Sequence, residues 1–283
     1  MPLRPNIKIL LLLLPILGIL VSFLIIPLIM LFAISFKHYA RMNIVDVFTV
    51  ENYALFLDPY YFGCWLNSIR LSVVVTALCL VLGYPAAYYL LRRSSKTLRS
   101  ILYALVVFPL ITSVIVRAYG WMVILSDSGL LNSLLIALHL IDKPIRLLWT
   151  FETLYITVTH VELPFMILSL VSALQDVDPT LELAAKNLGA NRLKTFVKVT
   201  LPLSSPGIIA GSMLVFMLSM GIYITPYMTG GAQMPILSLA VYGYVYTVLN
   251  FPAGGALAFI LLATSLCIAA IIPKVTKLAL RLE

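Results

Sequence analysis

Charge is what this sequence lacks most. Of 283 residues only 11% are Asp, Glu, Lys or Arg, against 62% hydrophobic, and the mean hydropathy is +1.06. A soluble domain carries about a quarter of its residues charged to cover its surface. So little charge excludes a water-soluble globule and leaves the bilayer as solvent. Cysteine and histidine are scarce too. Cys64, Cys79 and Cys267 sit in or beside apolar runs without paired spacing, which reads as packing and says little about redox compartment. His38, His139 and His160 are scattered, and "HVEL" at 160–163 lacks the second histidine that a zinc-binding helix needs. No metal site and no nucleophile–base spacing stands out, so no catalytic residues are assigned. None of the 14 glycines opens a Gly-x4-Gly-Lys-Ser/Thr loop, whose backbone N–H groups would cradle phosphate. If this chain works with ATP, another chain must hydrolyse it. An internal repeat is missing as well, and many ion-coupled carriers show one.

What is present is apolar length. A helix needs about 20 apolar residues to cross about 30 Å of hydrocarbon. Six stretches reach that length: 9–36, 64–91, 101–125, 151–174, 203–228 and 254–273. They are continuous, whereas barrel strands alternate in segments of about ten residues. The expected fold class is an all-α membrane protein, one multi-pass domain with six transmembrane helices. The first run follows Arg4 and Lys8 but is too long for a signal-peptide core and has no Ala-x-Ala-like site close behind it. It reads as a retained span.

The formal charge of +8 suggests a nucleic-acid partner until the charges are placed. With both termini in the cytoplasm, the inner side holds Arg4 and Lys8, then Arg92, Arg93, Lys96 and Arg99. Lys186, Arg192, Lys194 and Lys198 follow, then Lys274, Lys277 and Arg281. Only Lys37, Arg41, Arg70, Arg117, Lys143 and Arg146 remain. This positive-inside bias accounts for the basic balance with lipid alone and calls for no nucleic acid.

The segment 175–202 breaks the apolar pattern. Asp178 suits an N-cap and Pro179 the first helical position, where its missing N–H is not needed. Leu181, Ala184, Ala185 and Leu188 then fall on one face. Gly189 suits the left-handed position that ends a helix. Asn191 can cap a second short helix, on which Leu193, Phe196 and Val197 share a face. Two readings stand on these residues: an amphipathic loop lying on lipid headgroups, or a small capped module that docks into a protein cleft. The small apolar face and sharply defined ends favour docking.

The spacing Ala184-Ala185, three residues, Gly189, nine residues, then "VTLP" ending at Leu201-Pro202 resembles the EAA loop of permease subunits of bacterial ABC importers. The stretches "GYPAAYYLL" (83–91), "RAYGWMVILSDSGLLN" (117–132), "LPFMILSLVSAL" (163–174) and "PGIIAGSMLVFMLSMG" (206–221) are similar to the spermidine and putrescine permeases of that group. The resemblance implies a type I importer permease fold in the bacterial inner membrane. It implies a second, similar permease subunit, two cytoplasmic ATPase subunits that hold ATP and Mg, and a periplasmic substrate-binding protein. No cofactor is expected in this chain. The implied ATPase-coupling residues are Glu182, Ala184, Ala185, Gly189, Ala190, Leu201 and Pro202. One departure stands out: Leu183 occupies the motif's Glu slot, and the nearest acid, Glu182, points about 100° away on a helix.

Two ionisable residues, Arg117 and Glu162, fall inside apolar runs, where a charge must be paired or line a cavity. Counted from Leu125 and Phe151, they lie at depths of roughly 12 and 16 Å, close enough to interact or to share a wet cavity. Glu162 either touches a cationic solute or neutralises Arg117. Tyr119, Trp121, Tyr155, Tyr223 and Tyr227 are aromatic candidates for the solute pathway, since aromatic faces attract ammonium groups; aromatics also gather at membrane interfaces. In "GIYITPYMTGG", Gly221 and Pro226 can loosen the fifth span beside a cavity. The expected function is the permease of an importer for a small organic solute, a polyamine or related amine. An opine-like or amino-acid-derived solute, or an ion-coupled carrier or channel, is the alternative.

Overall fold

The structure, a computed structural model, describes residues 14–40, 42–92, 95–231 and 234–280. Arg4, Lys8, Arg41, Arg93, Arg281 and the start of the first expected span lie outside them. Five helices among the described residues are long and apolar enough to cross a membrane, or six if one bent pair counts as a single span. The described residues form two compact units. One runs to Phe62 and adds Ala240–Ile260; the other holds Gly63–Leu239 and the chain from Leu261 onward.

The first unit begins with helix α1 (Leu14–Ser35), whose apolar side chains are largely exposed, as lipid-facing residues are. Phe32 packs edge-on to Phe259 at 5.0 Å, and Asn52 ties down the chain after α1 by donating to the Ser35 and Lys37 carbonyls. A two-stranded antiparallel hairpin follows, β1 (Lys37–Ala40) with β2 (Asn43–Phe48). It is a short addition to a fold that is otherwise helical among the described residues. Ile44, Val45, Val47 and Phe48 favour extended backbone, and a Lys37–Asp46 ion pair crosses the strands.

In the second unit α2 (Pro59–Arg92) continues beyond Gly63. The expected third span, 101–125, is instead two helices, α3 (Lys96–Ile111) and α4 (Val114–Leu125). Pro109 contributes no backbone N–H, and Thr112 turns its hydroxyl back onto the Phe108 and Pro109 carbonyls, so Thr112 and Ser113 become extended. The stretch that meets the spanning test is Val114–Ala137, α4 followed by α5 (Leu130–Ala137).

Helix α6 (Phe151–Gln175) is the most buried of these spans. Its partner is α9 (Ser205–Gly221). They approach so closely that a Cβ added at Gly207 would sit 2.5 Å from the Ala173 Cβ and 2.8 Å from the Ser169 carbonyl oxygen. Gly207 and Gly211 form a GxxxG seam, which lets backbones meet where lipid offers no hydrophobic drive. Between α6 and α9 lie α7 (Pro179–Asn187) and α8 (Arg192–Leu203), and α8 meets α9 at a 65° bend. The expected fifth span, 203–228, also breaks: Ile222 is extended, and α10 (Ile224–Gly230) resumes beyond it. Helix α11 (Leu237–Tyr242) leads into the first unit, and α12 (Phe251–Leu280) ends the described chain.

Candidate functional site

Two places in the second unit carry chemistry. The first is the α7–α8 module. The Asp178 side chain accepts from the Thr180 N–H at 2.8 Å, and Pro179 starts α7. That backbone N–H holds the Asp178 carboxyl below its ordinary value. At the far end the Gly189 N–H donates to the Lys186 carbonyl and the Ala190 N–H to the Ala185 carbonyl. This Schellman arrangement needs a left-handed residue, and Gly189 supplies φ +83°. Asn191 caps α8 by accepting from the Lys194 N–H at 2.8 Å. Local sequence thus fixes both ends.

The two faces of the module differ. Leu181, Leu183, Ala184 and Leu193 are exposed, and Leu188 is 88% exposed. Ala185, Ala190, Leu201 and Pro202 are half-buried, and Leu201 packs against the core. Glu182, by contrast, is only 7% exposed and turns inward. Its carboxylate lies 3.3 Å from Arg92 Nε at the end of α2, an ion pair by distance, not an aligned hydrogen bond. It also accepts from the Tyr88 hydroxyl and from the Thr200 hydroxyl, each at 3.2 Å. Thr200 reaches it from a π turn, Phe196–Thr200, within α8. Arg92 further donates to the Val177 carbonyl at 2.6 Å. The carboxylate of Glu182, expected among the ATPase-coupling residues, is thus taken up inside the chain.

The second place is a cavity of about 640 Å³. Arg117, Glu162 and Tyr223 line it, with apolar walls that include Leu110, Phe165 and Met217. It lies beside both helix breaks, Leu110 and Val114 flanking one and Gly221–Ile224 forming the other. The Ile222 carbonyl freed at the second break accepts from the Ser238 hydroxyl at 2.7 Å, as broken backbone at membrane depth requires. Glu162 is 4% exposed. Among the described residues no ion pair joins it to Arg117, and its Oε2 together with Arg117 Nε and Nη1 is buried without a hydrogen-bond partner. The neutralising reading therefore does not hold as a direct contact; the two groups share a wall.

The remaining aromatic candidates do not line this cavity. Tyr119 and Tyr227 are exposed elsewhere. The Trp121 indole donates to His160 Nδ1 at 3.1 Å. Tyr155 packs against the core with its hydroxyl buried and unpartnered.

Residues 79–273 match the family described as binding-protein-dependent transport system inner membrane component. The spermidine/putrescine transport system permease protein PotB of Escherichia coli K12 is 37% identical over 242 residues, covering 85% of this chain and 88% of that protein. Its Haemophilus influenzae counterpart is 36% identical over 240 residues, covering 84% of each. This chain belongs to that family of inner-membrane transport components. It is the permease subunit of an ABC importer that depends on a binding protein. In the solved structures, a bacterial alginate ABC transporter in complex with an alginate-bound periplasmic protein shares the fold. Its TM-score is 0.73 with 20% identity, covering 94% of this chain and 93% of that one.

Sequence reasoning about this permease missed Arg92, Tyr88 and Thr200. A signal was available: Arg92 directly follows a predicted span and Glu182 is the one acid within α7. It also missed the break at Thr112–Ser113, although Pro109 marks it.

Proposed function

We propose that the permease moves a small organic amine, a polyamine or a related compound, inward across the bacterial inner membrane, with both termini cytoplasmic. The amine reading is supported by the relatives, which are spermidine/putrescine permeases, and by the buried Glu162 side chain on the cavity wall. Two cytoplasmic ATPase subunits, which carry the ATP and Mg, grip the module of this chain and that of a second, similar permease subunit. A periplasmic binding protein delivers the solute. ATP closes the ATPase pair, the modules move, and the cavities turn outward; hydrolysis returns them. This chain itself carries out no hydrolysis and holds no cofactor.

One observation carries the coupling role. The module ends at firm caps, is tied to α2 on its inner face, and leaves Leu181, Leu188 and Leu193 exposed on the other. A cysteine placed at Leu188 is expected to cross-link to the ATPase subunit in the assembled importer. Gly189→Val, which forces a β-branched residue to φ +83°, is expected to abolish uptake and binding-protein-stimulated ATP hydrolysis while membrane insertion is kept. Normal uptake by that variant, with no cross-link at Leu188, would sink the coupling role.

A further inference from the structure

We infer that a basic pocket between α7, α8 and the end of α2 holds the phosphate headgroup of an anionic phospholipid from the cytoplasmic leaflet. The inference rests on the importer reading only in naming that leaflet and the activity that the lipid supports.

The pocket has a volume of about 360 Å³, and Tyr88, Glu182, Lys186, Arg192, Thr195 and Phe196 are among the residues lining it. Its charges do not cancel. Glu182 is matched by Arg92 and by the Tyr88 and Thr200 hydroxyls. Lys186 and Arg192 are exposed, and among the described residues neither has an acidic partner. Two positive charges are therefore left at a concave site, and an anion is their complement. A guanidinium takes two phosphate oxygens through parallel N–H···O bonds, and an ammonium group binds phosphate as a point charge.

The level of the pocket in the bilayer selects the source of that phosphate. Residues 71–91 of α2, between Arg70 and Arg92, carry no Asp, Glu, Lys or Arg. That stretch of helix is about 31 Å long, which matches the roughly 30 Å of hydrocarbon. Arg92 therefore marks the inner edge of the hydrocarbon, and the pocket that its partner Glu182 lines lies at headgroup level. The cytoplasmic leaflet carries the anionic lipids, and each Lys or Arg at its surface strengthens attraction about fivefold. A protein occupant fits less well. Leu181 and Leu188, which are offered to the ATPase, do not line the pocket. A similar permease subunit with its own cation excess on the inner side would bring like charge. A phosphate seated on Lys186 of α7 and Arg192 of α8 bridges the two helices across the Gly189 turn, and so stiffens the module that the ATPases move.

The test uses the assembled importer in nanodiscs of phosphatidylcholine with a minor share of phosphatidylglycerol. The complex is released from the discs, and the lipid it retains is counted by native mass spectrometry. Phosphatidylglycerol is expected to be enriched over phosphatidylcholine about tenfold or more. Lys186→Gln and Arg192→Gln should each lower that enrichment about fivefold, and together they should abolish it. Lys194→Gln with Lys198→Gln, which removes two exposed lysines outside the pocket, should leave it intact. Binding-protein-stimulated ATP hydrolysis should rise with the share of phosphatidylglycerol in the wild type and not in the Lys186→Gln/Arg192→Gln variant. Equal retention of the two lipids overturns the inference, as does an equal loss in the Lys194/Lys198 variant. Inorganic phosphate that restores full hydrolysis in pure phosphatidylcholine discs would make a soluble phosphate the ligand and also overturn it. So would a pocket variant whose hydrolysis falls equally with and without phosphatidylglycerol, which would place an acidic group of the ATPase there instead. Hydrolysis that ignores the binding protein would sink the importer reading, while the retained lipid would still decide the pocket.

Discussion

Among the described residues, two buried combinations of an arginine and a glutamate have opposite fates. Arg92 and Glu182 meet at 3.3 Å, with the Tyr88 and Thr200 hydroxyls donating to the carboxylate and the Val177 carbonyl accepting from Arg92. Arg117 and Glu162 share a cavity wall, and among the described residues nothing in the protein closes them. The residue types are the same; the backbone around them differs. At Glu182 a capped helix and a π turn bring extra donors to the carboxylate. At Glu162 two interrupted helices border the space that a second set of donors would have filled. A charge pair acts as a fastener where the fold supplies its partners, and stays open where it withholds them.

The largest effect is expected where the contrast is sharpest. Arg92→Gln removes the cation from Glu182 and leaves a buried carboxylate uncompensated, a change that costs about 3–5 kcal/mol. Thermal unfolding of the assembled importer should show it, with loss of ATPase coupling. The swap Arg92→Glu with Glu182→Arg should recover part of that stability. Arg117→Gln should cost the unliganded complex less, because among the described residues no ion pair or hydrogen bond joins Arg117 to Glu162. If both arginine variants destabilise equally, the two pairs are not different in kind.

A middle-sized effect tests what holds the cavity wall in place. Gly207→Ala forces a methyl against the Ala173 side chain and the Ser169 backbone, whereas at Gly211 the nearest atom is the Met166 sulfur, the end of a flexible side chain. Overpacking costs about 1–3 kcal/mol, so Gly207→Ala should lower thermal stability clearly and Gly211→Ala little. Equal effects would mean that the seam adjusts along its whole length.

The smallest effect concerns the fastened region alone. Hydrogen bonding to Thr180 lowers the Asp178 carboxyl below its ordinary 3.8. Its contribution is present above that value and is lost as pH falls through the folded one. Hydrogen exchange of the Thr180 amide should show protection unchanged from pH 8 to 5 and lost only below the ordinary carboxylate range. Loss of protection near pH 5 would show that the cap is not made by the carboxylate.

These regions were unequally legible in the sequence. Asp178, Pro179, Gly189 and Asn191 act on neighbours within a few residues, so the module's ends were readable from composition alone. Arg117 and Glu162 were readable as anomalies, because a charge in an apolar run needs a reason. The Arg92–Glu182 contact joins positions far apart in sequence, and helical periodicity says nothing about such pairings. The interruption at Ile222 was marked by Gly221 and Pro226; the one at Thr112 was passed over because hydropathy averages over a window, and a helix can stop inside one without becoming less apolar. The hairpin at 37–48 was lost because its strands are shorter than that window.

Pro85 lies two turns before Arg92 and is the only proline in the interior of α2. It lacks the N–H that would lock its turn to the one before, so the helix can flex there. That missing bond sets a weak point between the last turns of α2, which hold Arg92 against Glu182, and the longer stem of the same helix.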